Sequence, residues 1–235
     1  MADDTTPEVL LLDVNETLSD LAPMAQRFAE VGAPPGLATT WFAGVLRDGF
    51  ALAVGGTSAS FARIGADLLR GHLSGLEIRR PLDEAVEHVM TGFTSLDVHP
   101  DVRVGLPALA AAGVRVATLS NGSASVAREL LGRASLTDHV ERLMSVEDAG
   151  IWKPARAAYV HGCDEMGVGA RDAMLVAVHP WDLDGATRAG LRTCWVDRTG
   201  APYPSYFRRP DLVVGGFDEL ARRFGAAAGQ AGRDG

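Results

Sequence analysis

Four apolar residues that run straight into an acid, Val9-Leu10-Leu11-Leu12-Asp13, constrain this chain more than any other stretch. A short continuous apolar run bounded by polar residues is the pattern of a strand covered on both faces, and such strands belong to parallel sheets flanked by helices. The pattern breaks directly afterwards, because Asn15-Glu16-Thr17 neither extends the apolar run nor opens a helical face. Open α/β sheets bind their ligands at the carboxyl ends of the strands. A carboxylate in that place can act as a covalent nucleophile. It can equally end a strand or cap a loop, so Asp13 has to be weighed with the rest of the chain.

After Asp13 the periodicity turns helical. Leu18, Leu21, Met24, Ala25 and Phe28 recur at helical intervals until Gly32-Ala33-Pro34-Pro35-Gly36 stops them. Further helices are predicted from near Thr39 to Val54, over 58–69 and over 83–91, with no strand between about 20 and 95. The α/β alternation resumes at His99-Pro100. Strands are expected over 114–119, 143–146, 173–178, 193–196 and, at an edge, 212–214, with helices over 104–112, 124–131, 155–166 and behind Asp182. The chain beyond Phe224 is rich in Gly and Ala and is expected to fray. Alternating strands and helices imply an α/β fold: a doubly wound parallel sheet, here with a helical cap inserted after the first strand. The core is assigned to residues 1–18 and 97–235, and the cap to 19–96. Several strands end in polar clusters (Asp13; Ser120-Asn121; His179 to Asp182) that such a sheet sets side by side, and the loop carrying Lys153 should join them.

Composition excludes some function classes. With 22 basic against 30 acidic residues, a net charge of −8 and no basic stripe, nucleic acid is not an expected partner. The two cysteines, Cys163 and Cys194, match neither a metal-ligand pair nor a disulfide framework. Residues 1–8 lack the apolar core of a signal peptide, and no run has the ~18 apolar residues of a membrane helix, so no membrane partner and a cytoplasmic location are expected.

Asp13-x-Asn15-x-Thr17-Leu18, Leu119-Ser120-Asn121-Gly122, Lys153-Pro154 and the strand end containing Asp182 resemble, in order and spacing, the four motifs of the haloacid dehalogenase superfamily. The helical insertion resembles that superfamily's smaller cap type. Within it the chain is most similar to the L-2-haloacid dehalogenases, through Thr17, Ser120 and Asn121, Tyr159 six residues after Lys153, Trp181-Asp182, and Thr193-Cys194-Trp195-Val196-Asp197-Arg198. The resemblance implies a hydrolase that needs no cofactor and no metal, acts on a small anionic 2-haloacid, releases halide and a 2-hydroxy acid, and forms a homodimer. It also implies roles. Asp13 attacks the carbon bearing the halogen to form an ester, which water then hydrolyses. Lys153 keeps Asp13 ionised, Asp182 orients or deprotonates the water, and Thr17 hydrogen-bonds Asp13. Ser120 holds the substrate carboxylate, Asn121 faces the halide, and Tyr159 and Trp181 serve as a site or packing residue and a pocket wall. Ser120-Asn121 is also a candidate helix cap.

The chain departs from that pattern in places. The family's cap arginine follows closely after a tryptophan, whereas here Phe42 follows Trp41 and Arg47 is the nearest arginine. Asn15 replaces an aromatic residue, and Ala177 and His179 replace a serine and an asparagine of the fourth motif. His179, three residues before Asp182, is a candidate to bind water or substrate and to impose a pH dependence. A Mg²⁺-dependent phosphatase is a second reading. It is weakened because Asn15 has no proton to give a leaving alcohol and because Val178 stands where such enzymes carry a ligating acid. A hydrolase of a related acid such as azetidine-2-carboxylate stays open, as does a catalytically silent binding protein of the same fold.

Overall fold

The computed structural model of the protein describes residues 6–231. Its centre is the apolar strand β1 (Val9–Leu12), in a sheet completed by β2 (Arg115–Ser120), β3 (Arg142–Ser145), β4 (Ala173–Ala177), β5 (Arg192–Val196) and β6 (Leu212–Val214). The order is β3-β2-β1-β4-β5-β6 and every pairing is parallel. Leu12 lies between Thr118 of β2 and Val176 of β4, so Asp13 leaves the sheet at its centre, beside the ends of both neighbours.

Alternation along β1 explains why all four of its residues are apolar. Leu10 and Leu12 face one layer, with Val102, Leu106, Leu130 and Phe217. Val9 and Leu11 face the other, with Tyr159, Cys163 and Leu183. Helices α5 (Pro100–Ala111), α6 (Ala124–Arg133) and α10 (Phe217–Ala231) supply the first layer, whereas α8 (Arg156–Met166) and α9 (Pro180–Ala189) supply the second. The short α7 (Val146–Ala149) follows β3. Here α10 corrects the sequence reading: the helix continues past Phe224 to Ala231, because Leu220, Ala221 and Phe224 anchor it in the core and alanine favours helix.

Between β1 and β2 run α1 (Met24–Glu30), α2 (Leu37–Val54), α3 (Phe61–Leu73) and α4 (Leu82–Thr94), packed around the fully buried Trp41. The chain enters and leaves this unit side by side. Ser19 bridges Val98 in antiparallel fashion, Asp20 N–H donates to Asp97 O at 2.9 Å, and His99 N–H donates to Leu18 O at 2.9 Å. That pairing also explains a second difference from the sequence reading. Leu18 and Leu21 are not helical, because their segment is spent on the neck and α1 starts only after Pro23. The other helices keep their expected places with shifted ends; Ser60, for example, caps α3 by accepting from Arg63 N–H.

Trp152, in the loop after α7, reaches across into the helical unit. Its ring stacks on Phe61 (centroids 6.2 Å apart, planes 5° from parallel), its Nε1–H donates to Ala59 O at 3.0 Å, and a Cβ on Gly49 would lie 2.3 Å from it. The residue next to Lys153 is thus seated in the cap. Among the described residues, no helix is long and apolar enough to cross a membrane.

Candidate active site

Asp13 emerges from β1 with its backbone N–H bonded to Val176 O at 3.0 Å, which aims its carboxylate past the strand end. Three side chains meet that buried carboxylate. Lys153 Nζ donates to Oδ1 at 2.9 Å, Thr17 Oγ1–H donates to Oδ2 at 2.7 Å, and His179 Nδ1 lies 3.2 Å from Oδ2. Thr17 is itself held, because its Oγ1 accepts from Val178 N–H at 3.1 Å. Burial alone would raise the Asp13 pKa; the Lys153 charge, with help from His179 and Thr17, outweighs it and holds the carboxyl well below the usual carboxylate range. A carboxylate must be anionic to serve as a nucleophile, and Asp13 is kept anionic.

Lys153 Nζ also donates to Asp182 Oδ2 at 2.6 Å, so one fully buried ammonium bridges two carboxylates. Burial opposes its charge, but Asp13 and Asp182 raise its pKa above the ordinary lysine value. Asp182, in the first turn of α9, has both oxygens occupied, since Tyr159 O–H donates to Oδ1 at 2.6 Å. Burial and the nearby Asp13 charge raise its pKa despite Lys153. Tyr159 is therefore a hydrogen-bond partner within the cluster as well as a packing residue.

The lysine loop is clipped to the end of β2 by Asn121, whose Oδ1 accepts from Lys153 N–H at 2.9 Å and whose Nδ2–H donates to Lys153 O at 3.2 Å. The Asn121 amide thus spends its oxygen and one of its N–H bonds on the backbone of the lysine loop. Ser120 and Asn121 do not cap α6. Ser123 does, by accepting from Val126 N–H, while Ser120 Oγ is buried and accepts from Gly122 N–H at 2.9 Å. Asn15 is buried beside this turn, its amide 3.6 Å from where a Cβ on Gly122 would sit.

The cap contributes less than expected. Phe42 borders the site, its ring stacked near His179 at 6.4 Å between centroids, and Trp181 lies 5.2 Å from the same imidazole and 4.8 Å from Phe50. Trp41 is a correction. Its ring packs between Phe28, Phe61 and Phe93, and its Nε1–H donates to Gly65 O at 2.9 Å, so it belongs to the cap interior. Arg47 is not brought to the Asp13 cluster. Its guanidinium is paired on the surface with the adjacent Asp48 at 2.7 Å.

Sequence reasoning missed Glu16. Its carboxylate lies 2.8 Å from His179 Nε2, so the imidazole is gripped between Glu16 and Asp13. Glu16 has a left-handed backbone (φ 62°), a conformation unusual for a non-glycine residue. The loop is held there by His99, whose Nε2 lies 3.0 Å from Glu16 O, and by Arg198, which donates to Thr17 O at 2.8 Å. An acid three residues past a candidate nucleophile was visible; its pairing with a histidine 163 positions away was not. Burial pulls the His179 pKa down, but hydrogen bonds and charge from Asp13 and Glu16 raise it to about 9.

With this geometry established, the likeness to known proteins is specific. The model of the haloacid dehalogenase-like hydrolase family matches residues 8–190. The chain is 32% identical over 128 residues to haloacetate dehalogenase H-2 of Moraxella sp. (strain B), an alignment covering 54% of this chain and 57% of that enzyme's length. It is 27% identical to (S)-2-haloacid dehalogenase 2 of Pseudomonas sp. (strain CBS-3), over 90% of this chain and 93% of that one. A solved dehalogenase carrying its intermediate superposes with a TM-score of 0.84 at 26% identity, covering 92% of this chain and 96% of the other. The parallel sheet, the aspartate at its central strand end and the family match over most of the chain lead to one conclusion: the protein belongs to the haloacid dehalogenase-like hydrolases.

Proposed function

We propose that the protein hydrolyses 2-haloalkanoic acids to 2-hydroxy acids through an ester on Asp13. The observation that carries this reading is the Lys153 ammonium joining the carboxylates of Asp13 and Asp182 at 2.9 and 2.6 Å. It keeps the nucleophile ionised and places a cation where charge builds up as the ester is hydrolysed. In the first step an Asp13 oxygen displaces the halogen at carbon 2, expelling halide. In the second, water attacks the ester carbonyl, and the Cγ–O bond to the substrate breaks. Ser120 with the N–H groups of its turn holds the substrate carboxylate, while Phe42 and Trp181 wall the pocket. The dehalogenase names of its relatives support this substrate class. The position beside the nucleophile that could protonate a leaving alcohol is Asn15, which does not favour phosphate esters.

The test is a single turnover of 2-chloropropionate in ¹⁸O-labelled water containing EDTA. Halide should appear and the label should enter the Asp13 peptide, with unlabelled oxygen in the first product. Label in the first product, or turnover of p-nitrophenyl phosphate only with Mg²⁺, would sink the proposal. Ring opening of azetidine-2-carboxylate with label on Asp13 would keep the chemistry and change the substrate.

The family resemblance supports a cytoplasmic homodimer. Light scattering should give twice the 24.7 kDa chain mass, and a monomer mass would refute it.

A further inference from the structure

We propose that His179, aimed by Glu16, is the base that activates water for hydrolysis of the Asp13 ester. The inference rests on the ester chemistry above and adds a role to a residue on the nucleophile's own side.

Three observations carry it. The imidazole spans Asp13 Oδ2 at 3.2 Å and Glu16 Oε2 at 2.8 Å, so Glu16 fixes both the ring plane and the nitrogen that carries the outer proton. Asp182, the other candidate base, is fully buried with both carboxylate oxygens committed, to Lys153 at 2.6 Å and to Tyr159 at 2.6 Å. His179 instead borders an open hollow shared with Glu16, His99, Trp195 and Arg198, a route by which solvent reaches the imidazole beside Asp13. In-line displacement sends the halide away from Asp13, so a group touching the nucleophile's own carboxylate cannot also attend the leaving group. It is placed for the second step.

The charges supply the timing. The groups facing His179 are Asp13 from the end of β1 and Glu16 from the following loop; α2 presents the Phe42 ring and α9 the Trp181 ring, both uncharged. Lys153 and Asp182 lie beyond Asp13, and His99 and Arg198 hold the backbone behind Glu16. In the resting enzyme the two carboxylates keep His179 protonated, with a pKa raised to about 9. Forming the ester erases the Asp13 charge, and the imidazolium releases its Nδ1 proton to solvent. This is the one proton the whole reaction liberates. Neutral Nδ1 then takes a proton from water as the water oxygen bonds to Cγ of Asp13. When the tetrahedral adduct collapses, the Cγ–O bond to the substrate breaks and the departing alkoxide takes that proton back. The carboxylic acid left on Asp13 passes its proton to Nδ1, restoring the imidazolium–carboxylate pair. Glu16 touches no reacting atom and is a positioning residue.

Rapid-quench single turnovers of 2-chloropropionate, followed by halide release, intact mass and a pH indicator, test this. In the wild-type protein the proton should leave with the halide, before the 2-hydroxy acid appears. In His179→Ala the halide burst should persist while ester hydrolysis slows about 100-fold or more. The mass of the trapped ester should then build up, and added imidazole should speed its loss. In Glu16→Gln, which leaves the ring in place, the rising limb of the pH profile of ester hydrolysis should move down by about one unit, because one charge favouring imidazolium is gone. Ester hydrolysis at the wild-type rate in His179→Ala, or proton release only with the hydroxy acid, would overturn the inference and leave the dehalogenase reading standing. A wild-type protein that releases no halide from 2-haloacids would overturn the dehalogenase reading itself.

Discussion

At the level of single residues, the site is a chain of charges in which each group decides its neighbour's ionisation. Lys153 is fully buried between two carboxylates, and removing one member of a buried ion cluster typically costs about 3–5 kcal/mol because the other is left uncompensated. Lys153→Met should therefore unfold at lower denaturant concentration and lose turnover. Its stability deficit should shrink as pH falls, because the stranded acids can then take up protons; a deficit independent of pH between about 4 and 8 would show that the ammonium does not balance them. His179 makes the opposite prediction. Its folded pKa, about 9, lies above the 6.5 of a free histidine, so its stabilising contribution is complete below about pH 6.5 and is lost as pH rises through 9. The stability gap between wild type and His179→Ala should close over that window, as read by urea melts at several pH values. The candidates Asp13, Thr17, Lys153 and Asp182 were legible in the sequence because they stand in four short motifs that resemble those of a known superfamily, and the fold brings them within hydrogen-bond reach of one another. The partner of His179 was not, since a lone glutamate in a loop says nothing about a contact 163 residues away.

Among the elements, close approaches fix where the functional loops lie. Gly185 in α9 packs so tightly that an added Cβ would sit 2.6 Å from both Pro154 Cβ and the Tyr159 hydroxyl. Gly185→Ala must push Tyr159 off Asp182 or shift the loop of Lys153. We expect a stability loss of about 1–3 kcal/mol and a fall in turnover of about 100-fold, since small displacements at a reacting centre are expensive. Wild-type kcat with lowered stability would show that the Tyr159 bond does not matter to chemistry. The strands were readable because buried parallel strands are continuous apolar runs, and β1 to β6 all fall where such runs do. The first cap helix was misread because leucine spacing cannot distinguish a helical face from a neck that spends its backbone on Val98 and His99. The clip made by Asn121 was not legible for a related reason: an amide near a site can bond ligand or backbone, and only the position of the Lys153 loop shows that this one bonds backbone.

Across the molecule, the cap and the sheet are joined at more than the paired segments of the neck. Trp152 is buried among cap residues yet directly precedes the lysine that bonds Asp13, so cap position and Lys153 position are mechanically linked. Trp152→Ala should cost about 3–5 kcal/mol, as large core truncations do. Beyond that loss, it should loosen the 19–96 unit against the sheet, visible as faster amide exchange in α2 and α3 than in β1. A uniform increase in exchange across both parts would argue that the indole only fills space.

The amino-acid order was enough for the parallel α/β class, the place of the helical insertion, and, through the resemblance of four short motifs, for naming Asp13, Lys153 and Asp182 as candidates that the fold brings together. The class follows from local apolar patterning, and the candidates from motif residues at strand ends and loops. Packing between distant segments was needed to settle that Trp41 is cap core, that Arg47 stays on the surface, that Asn121 clips a loop, and that Glu16 grips His179. Each of these depends on which of several possible partners lies within about 3 Å, the reach of a hydrogen bond. That distance is set by how separate elements pack, and no spacing along the chain records it.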